Sequence, residues 1–316
     1  MKPVSENLIK EPSGVLIVNK PTGITSHDVV GAVRRLYGTK RVGHTGTLDP
    51  MASGVLVVLV GRAAKATEYI SAASKKYRAT LRLGLTTDTE DTTGETLTTS
   101  DSLPSAEKVK ELAAEFVGEI MQIPPMYSAL KVDGRKLCDL ARQGVIVERK
   151  ARPITVYSLT AAETGSPSDY VLDVHCSGGT YIRTLCADIG ARLGCGGVMA
   201  SLERTAACGF DISEAYDLEV LKEKSREELV SLLLPVEGLF ADLDEVSLPE
   251  FYEKLFRSGC EIYQKKIFSS YEIGQRLRVI GKKGFFAVGE VIPPEKCGDP
   301  QLGSAIKSIK LFELDG

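Results

Sequence analysis

From Gly43 to Val60 the chain passes from a polar, glycine-rich stretch into an apolar run. Gly43-His44-Thr45-Gly46-Thr47-Leu48-Asp49-Pro50 is followed by Met51-Ala52-Ser53-Gly54 and then by Val55-Leu56-Val57-Val58-Leu59-Val60, closed by Gly61. A short run of β-branched residues and leucines between glycines reads as a buried strand. A polar loop entering such a strand is a place where a scaffold holds a reactive group rigidly. Pro50 pushes Asp49 toward extended backbone, because the proline ring crowds the residue before it. Spacing alone is equally compatible with an ordinary Asp-Pro turn.

The segments around this stretch mix helix and strand patterns. Val15–Val18 reads as a strand, broken by Lys20-Pro21-Thr22-Gly23. Ser26 is placed as an N-cap for a helix with Val29, Val30, Val33, Leu36 and Tyr37 on one face and Gly38 at its end. A helix is expected over 62–73. Lys76–Leu83 alternates, with Tyr77, Ala79, Leu81 and Leu83 on one face and Lys76, Arg78, Thr80 and Arg82 on the other. On that pattern Tyr77 is also compatible with a plain core tyrosine. Thr86–Thr99, with Asp88, Glu90, Asp91 and Glu95, lacks the spacing of a calcium loop and reads as a solvated loop.

Further along, Thr180 is placed as the cap of a helix carrying Ile182, Leu185, Ile189 and Leu193. Arg183 then falls in the first turn, where a cation opposes the helix dipole and calls for a compensating anion unless it points to solvent. Asp217–Leu234 reads as helix, with Ser225 and Glu228 as a capping box. Asp242-Leu243-Asp244-Glu245 reads as a boundary. A hairpin, Arg276–Ile280 with Phe285–Ile292, and a strand, Ala305–Leu314, form a small β-rich tail.

Composition excludes some classes. No apolar run approaches the roughly 20 residues of a membrane helix, and Met1–Ser13 lacks a signal-peptide core, so a cytoplasmic protein is expected. The seven cysteines contain no C-x-x-C and read as reduced thiols, with no metal site. The net charge of −3 hides segregation. Residues 1–87 carry 13 Lys+Arg against 5 Asp+Glu and residues 131–152 carry 7 against 3, whereas 88–119 carry 2 against 9 and 211–250 carry 3 against 12. The tail, 251–316, returns to 11 against 8. Basic blocks of this kind serve either as solvated faces or as a surface for a polyanion.

Six blocks in one order carry a resemblance. They are Lys20-Pro21-Thr22-Gly23, Gly43–Pro50, Lys76-Tyr77-Arg78, Pro125-Met126-Tyr127-Ser128-Ala129-Leu130-Lys131, Gly179-Thr180-Tyr181-Ile182-Arg183-Thr184 and Ser201-Leu202-Glu203-Arg204-Thr205. Together they resemble the bacterial tRNA pseudouridine-55 synthases of the TruB type. The resemblance covers about residues 14–212, and the tail is similar, more weakly, to that family's PUA-type RNA-binding module.

The resemblance implies an α+β pseudouridine synthase fold, with a central mixed, mainly antiparallel sheet flanked by helices and a PUA-like β module at the C-terminal end. It divides the chain into an N-terminal extension (1–13), a catalytic domain (14–245) and the RNA-binding module (246–316). It implies an isomerase without cofactor or metal that converts uridine 55 of the tRNA T-loop to pseudouridine, and an added role in tRNA folding. Asp49 is then the nucleophile, Arg183 its ion-pair partner and Tyr77 a catalytic group stacked on the base. His44 fills the gap left in the RNA stack when the base is extruded. Lys20, Tyr181 and Leu202 lie around the pocket. The expected partner is the tRNA T-stem-loop, bound by a monomer with no protein partner and no membrane. Two alternatives stay open: an idle RNA-binding or RNA-folding protein, and a guide-RNA-directed synthase.

Overall fold

The computed structural model describes residues 11–70, 73–128, 130–132 and 134–312. Two β-sheets organise it. The larger contains β1 (Gly14–Lys20), β2 (Val42–His44), β3 (Ser53–Val60), β4 (Lys75–Leu83), β5 (Gly118–Gln122), β6 (Arg152–Glu163), β7 (Asp169–Cys176), β8 (Gly197–Ala207), β9 (Phe210–Asp211) and β10 (Tyr216–Asp217). Their order is β10-β1-β3-β8-β4-β7-β6-β5, with β2 on β3 and β9 on β8. Most pairs are antiparallel, but β3–β8 and β1–β10 are parallel, so the sheet is mixed. The smaller sheet joins β11 (Asp244–Ser247), β12 (Ile262–Tyr263), β13 (Arg276–Gly281), β14 (Gly284–Ile292) and β15 (Ala305–Leu311) in the order β11-β13-β14-β15-β12. The α+β class expected from sequence is the class found, and β11 straddles the boundary expected at 245.

Three helices cover the large sheet: α1 (Ser26–Tyr37), α2 (Ala106–Ala114) and α3 (Ile182–Leu193). The alternation of β4 holds. Tyr77, Leu81 and Leu83 enter one core with Leu172, Leu185, Ile189 and Val109. β3 is buried on both faces. Leu56, Val58 and Val60 pack under α1 with Leu16, Val29 and Val33. Val55, Val57 and Leu59 face the opposite way, into a cluster that contains Phe240, Phe285 and Phe312. That cluster joins the two sheets, and its three rings lie 5.3–5.7 Å apart centre to centre.

Several local readings are corrected. Thr25, not Ser26, caps α1: its side chain accepts from Asp28 N–H and Asp28 answers in a capping box. Ser26 is buried and bonded to Leu48 instead. Residues 62–73 do not form one helix; a 3₁₀ segment, Gly61–Ala66, runs into a single α-turn, Thr67–Ile70. Asp217–Leu234 splits into Leu218–Lys222 and Arg226–Ser231, the latter started by the expected Ser225–Glu228 box. Thr86–Thr99 is a two-stranded hairpin, Leu85–Thr87 with Thr96–Thr99. Tyr181 occupies the cap position of α3, and Thr180 bonds Ser177 O instead. The last two residues of the strand expected over Ala305–Leu314 lie outside the described residues.

Gly54 shows how tightly the central strands meet. It pairs with Lys20 of β1 and Arg204 of β8, its φ is +102°, and a Cβ there would lie 2.3 Å from the Arg204 carbonyl oxygen. Gly54→Ala is expected to cost about 3 kcal/mol or more in denaturant unfolding, from strain plus clash. A loss under about 1 kcal/mol would show that the strands separate easily.

Candidate active site

The loop between β2 and β3 is fixed from two sides. On one side Ser26 Oγ accepts from Leu48 N–H (2.8 Å) and donates to Leu48 O (3.1 Å). The fully buried Lys20 ammonium donates to Ile24 O (2.7 Å), Pro21 O (2.9 Å) and Pro50 O (3.5 Å), and Gly23 N–H also reaches Pro50 O (2.7 Å). On the other side Arg204, 1% exposed, donates Nε–H to Val55 O (2.7 Å), Nη2–H to Gly46 O (3.1 Å) and Nη1–H to Thr47 O (3.5 Å). Two buried cations thus spend their donors on main-chain carbonyls that bracket Asp49. Carbonyls satisfy the charge without neutralising the carboxylate between them.

Asp49 meets Arg183 at this loop, with Nε to Oδ2 at 2.9 Å. The arginine side chain is 6% exposed and the aspartate 36%, so the pair lies at the floor of an opening. Arg183 comes from the first turn of α3, as the sequence places it. Its other nitrogens donate to Tyr127 O (2.8 Å) and Thr89 O (3.1 Å), and Asp91 Oδ2 lies 3.8 Å away. Burial pushes the Asp49 carboxyl above its ordinary value; Arg183 pulls it back, Asp91 adds to the rise, and Lys20 opposes it. The ion pair therefore orients the carboxylate and offsets only part of the cost of burying it.

The acidic hairpin is part of this site, which corrects its reading as a solvated loop. Asp91 is buried; its Oδ1 accepts from Thr89 Oγ1 (2.8 Å), Thr93 N–H (2.9 Å) and Thr93 Oγ1 (2.5 Å). Thr184 Oγ1 donates to Glu90 (2.5 Å), and burial raises the Glu90 carboxyl. Thr92 N–H donates to Met199 O, and Met199 N–H to Glu90 O, which dock the hairpin on β8. Among the described residues no group of His, Cys, Asp or Glu is arranged to hold a metal.

Tyr77 and Leu202 share one core cluster with Leu48, next to the loop that carries Asp49. Register puts Tyr77 beside Arg204 and Val174, and Leu202 beside Ala79. Burial raises the Tyr77 phenol, and the Arg204 charge lowers it. Tyr181 is half-buried. Its N–H and carbonyl are both held by the buried Gln122 amide, at 2.9 and 3.0 Å. His44 ends β2; Gly46 N–H donates to its Nδ1 (3.3 Å), and burial and then Arg204 lower its pKa. Asp91, Gln122 and Arg204 were not singled out from the sequence. Arg204 stood in a recognised block, but nothing local marks a buried arginine whose partners are carbonyls about 150 residues away.

Lys20 supplies a test of the site's electrostatics. Burial lowers its pKa to about 8, with Asp49 opposing. The unfolded chain then binds more protons than the folded one between about 8 and 10.5, so stability rises with pH in that window. Relative to Lys20→Met, the native protein is expected to gain on the order of 2–3 kcal/mol between pH 8 and 10.5. A flat difference in urea midpoints over that range would refute the shift.

Comparison with known proteins identifies the family of the chain. The N-terminal-domain model of the TruB family of pseudouridylate synthases matches residues 34–182, and the C-terminal-domain model of tRNA pseudouridylate synthase B matches 183–241. The tRNA pseudouridine synthase B of Alkaliphilus oremlandii is 43% identical over 281 residues, covering 88% of this chain and 93% of that one. That of Syntrophotalea carbinolica is 41% identical over 298 residues, covering 92% and 96%. Among solved structures, a Cbf5-Nop10-Gar1 complex contains a chain that matches with a TM-score of 0.74 at 25% identity, covering 96% of this chain and 85% of that one. On both family models and on identity across nine-tenths of its length, the chain belongs to the TruB family of pseudouridylate synthases.

Proposed function

We propose that the protein isomerises the uridine at position 55 in the T-loop of tRNA to pseudouridine, with Asp49 as nucleophile. The observation that carries this is the 2.9 Å pair of a partly exposed Asp49 with a buried Arg183, on a loop locked by Lys20, Ser26 and Arg204. The base is extruded from the folded loop into the opening. The Asp49 carboxylate forms the covalent intermediate while the N1–C1′ bond breaks. The freed uracil turns against Tyr77 and the Leu202 wall, C5 bonds to C1′, and the bond to Asp49 breaks, which returns the carboxylate to the enzyme. The C5 hydrogen leaves as a proton and N1 ends protonated, so substrate and product have one composition. Tyr77 is the group we assign to that proton, His44 fills the vacated stack, and Tyr181 lines the entry.

A basic groove supports binding of the tRNA backbone. Lys40, Arg41, Arg62 and Lys65 line a groove of about 480 Å³. Not every cation of the basic block is available: Arg41 pairs with Glu11 at 3.1 Å, and Arg78 and Arg82 form two-pronged pairs with Asp173 and Asp169. We read the protein as a monomeric cytoplasmic enzyme that needs no cofactor, with 14–245 catalytic, 246–316 binding RNA, and a contribution to tRNA folding. The tRNA-acting relatives, at 41–43% identity, favour this over an idle RNA-binding protein or a guide-RNA-directed one.

Isomerisation displaces the C5 hydrogen, so a tRNA transcript tritiated at uracil C5 reports it. The protein alone is expected to release tritium. Asp49→Asn should abolish release, by at least about 10⁴-fold, with tRNA affinity kept. Arg183→Ala should slow it on the order of 10²–10³-fold. Turnover by Asp49→Asn would remove Asp49 as nucleophile.

The pH profile tests the same carboxylate. Rate is expected to fall with decreasing pH through the Asp49 pKa, placing the acid limb above the ordinary value of 3.8. Asp91→Asn deletes the neighbouring negative charge that raises Asp49, and should move that limb to lower pH. A limb that stays in place would separate Asp91 from the electrostatics of the site.

A further inference from the structure

Only three described residues other than glycine have positive φ: Glu90, Cys208 and Phe268. The first two border the candidate site, where the Glu90 carboxylate bonds Thr184 and Cys208 Sγ bonds Thr45 Oγ1. Phe268 lies in the second sheet's half, at φ +53°, and it is 98% exposed. A bulky residue in this region is strained, and glycine or asparagine would relieve the strain. Burial does not repay it here, because the ring touches almost nothing. Folding therefore neither needs nor rewards a phenylalanine at this position.

The loop that carries the ring is nevertheless built firmly. Gln264 is buried, and its amide accepts from Tyr271 N–H (2.6 Å) and donates to Ser304 Oγ (2.8 Å) and Tyr271 O (3.1 Å). Its carbonyl takes Ser269 N–H and Ile267 N–H, and Tyr271 OH donates to Glu245 O (2.7 Å). Ile267 and Tyr271 pack against the core of the small sheet. The ring thus projects from a closed turn pinned on both sides. Before it stand Lys265 and Lys266, both exposed and with no acidic partner in an ion pair among the described residues. Glu272 is the single carboxylate between Gln264 and Gly274.

A rigid aromatic face beside unpaired ammonium groups is the chemistry of a stacking platform for a single-stranded nucleic acid: the ring takes a base and the cations take the adjoining phosphates. We propose that Phe268, with Lys265 and Lys266, holds an unpaired base of the substrate tRNA that lies outside the T-arm. This rests on the tRNA reading above. The placement follows from the fold. The loop follows β12, the edge strand of the small sheet, whereas that sheet joins the catalytic one through Ile280, Phe285, Val288, Ile309 and Phe312.

The test compares affinity for a full-length unmodified tRNA transcript with affinity for its isolated T-arm hairpin. Phe268→Asn removes the ring and tolerates the left-handed backbone, so its melting temperature should match or exceed the native one. It is expected to bind full-length tRNA on the order of tenfold more weakly, with the hairpin bound as before and tritium release at saturating tRNA unchanged. Phe268→Trp should restore affinity. Replacing Lys265 and Lys266 with alanine should flatten the dependence of log affinity on log salt by about one per lysine.

Native affinity of Phe268→Asn for full-length tRNA would overturn the proposal, as would an equal loss on the hairpin or a tryptophan variant as weak as the asparagine one. Loss of a dimer on substitution, seen by sedimentation, would overturn it in favour of a second copy of the chain. Absence of tritium release by the native protein would instead sink the isomerase reading, and the affinity comparison would still decide the loop.

Discussion

A buried guanidinium must have its donors satisfied, and at Arg183 that requirement ties four separate segments together. Asp49 comes from the β2–β3 loop, the Thr89 carbonyl and Asp91 from the acidic hairpin, the Tyr127 carbonyl from the proline-led segment, and the arginine itself from α3. Leaving such a charge unpaired costs several kcal/mol. None of the four can move away without exposing the others to that penalty. The arginine also stands at the wrong end of a helix for a cation, so the anions around it offset an unfavourable dipole as well as desolvation.

The same logic explains why Lys20 and Arg204 contact carbonyls. If either cation were paired directly with Asp49, the carboxylate would lose nucleophilicity to a second close counter-charge. Instead they hold the chain on either side of it, through Pro50 on one flank and Gly46, Thr47 and Val55 on the other. The Lys20 charge still reaches Asp49 through space and lowers its carboxyl pKa. Lys20 thus supplies rigid positioning through its hydrogen bonds and moderate electrostatic support through its charge.

What the sequence revealed and what it hid divide along the range of the interactions. The strand Val55–Val60, the alternation of β4, the apolar stripe of α1 and the C-terminal hairpin are each properties of fewer than twenty consecutive residues, and all are legible. The pairing of Asp49 with Arg183 spans 134 positions and was reached through the family resemblance and the dipole argument together. Asp91 reads as solvated because an acidic, threonine-rich segment looks so locally; its threonine donors and the distant arginine together make its burial favourable. Arg78 and Arg82 were counted toward a polyanion surface because cross-strand register, which seats Asp173 and Asp169 beside them, is not written in β4 itself.

β3 carries the consequence furthest. Because successive side chains alternate, its even-numbered residues belong to the core under α1 and its odd-numbered ones to the cluster shared with the small sheet. A one-residue slip would exchange both sets at once and would also move Gly54 from its contact with Arg204. Register is therefore specified from two sides, and the loop that ends in Asp49 inherits that precision over only four residues. The aromatic cluster of Phe240, Phe285 and Phe312 fixes the small sheet against the same strand. The RNA contact proposed on the small sheet and the Asp49 carboxylate are consequently held in one frame, so a tRNA gripped at both points would present its target uridine without a hinge between grip and chemistry.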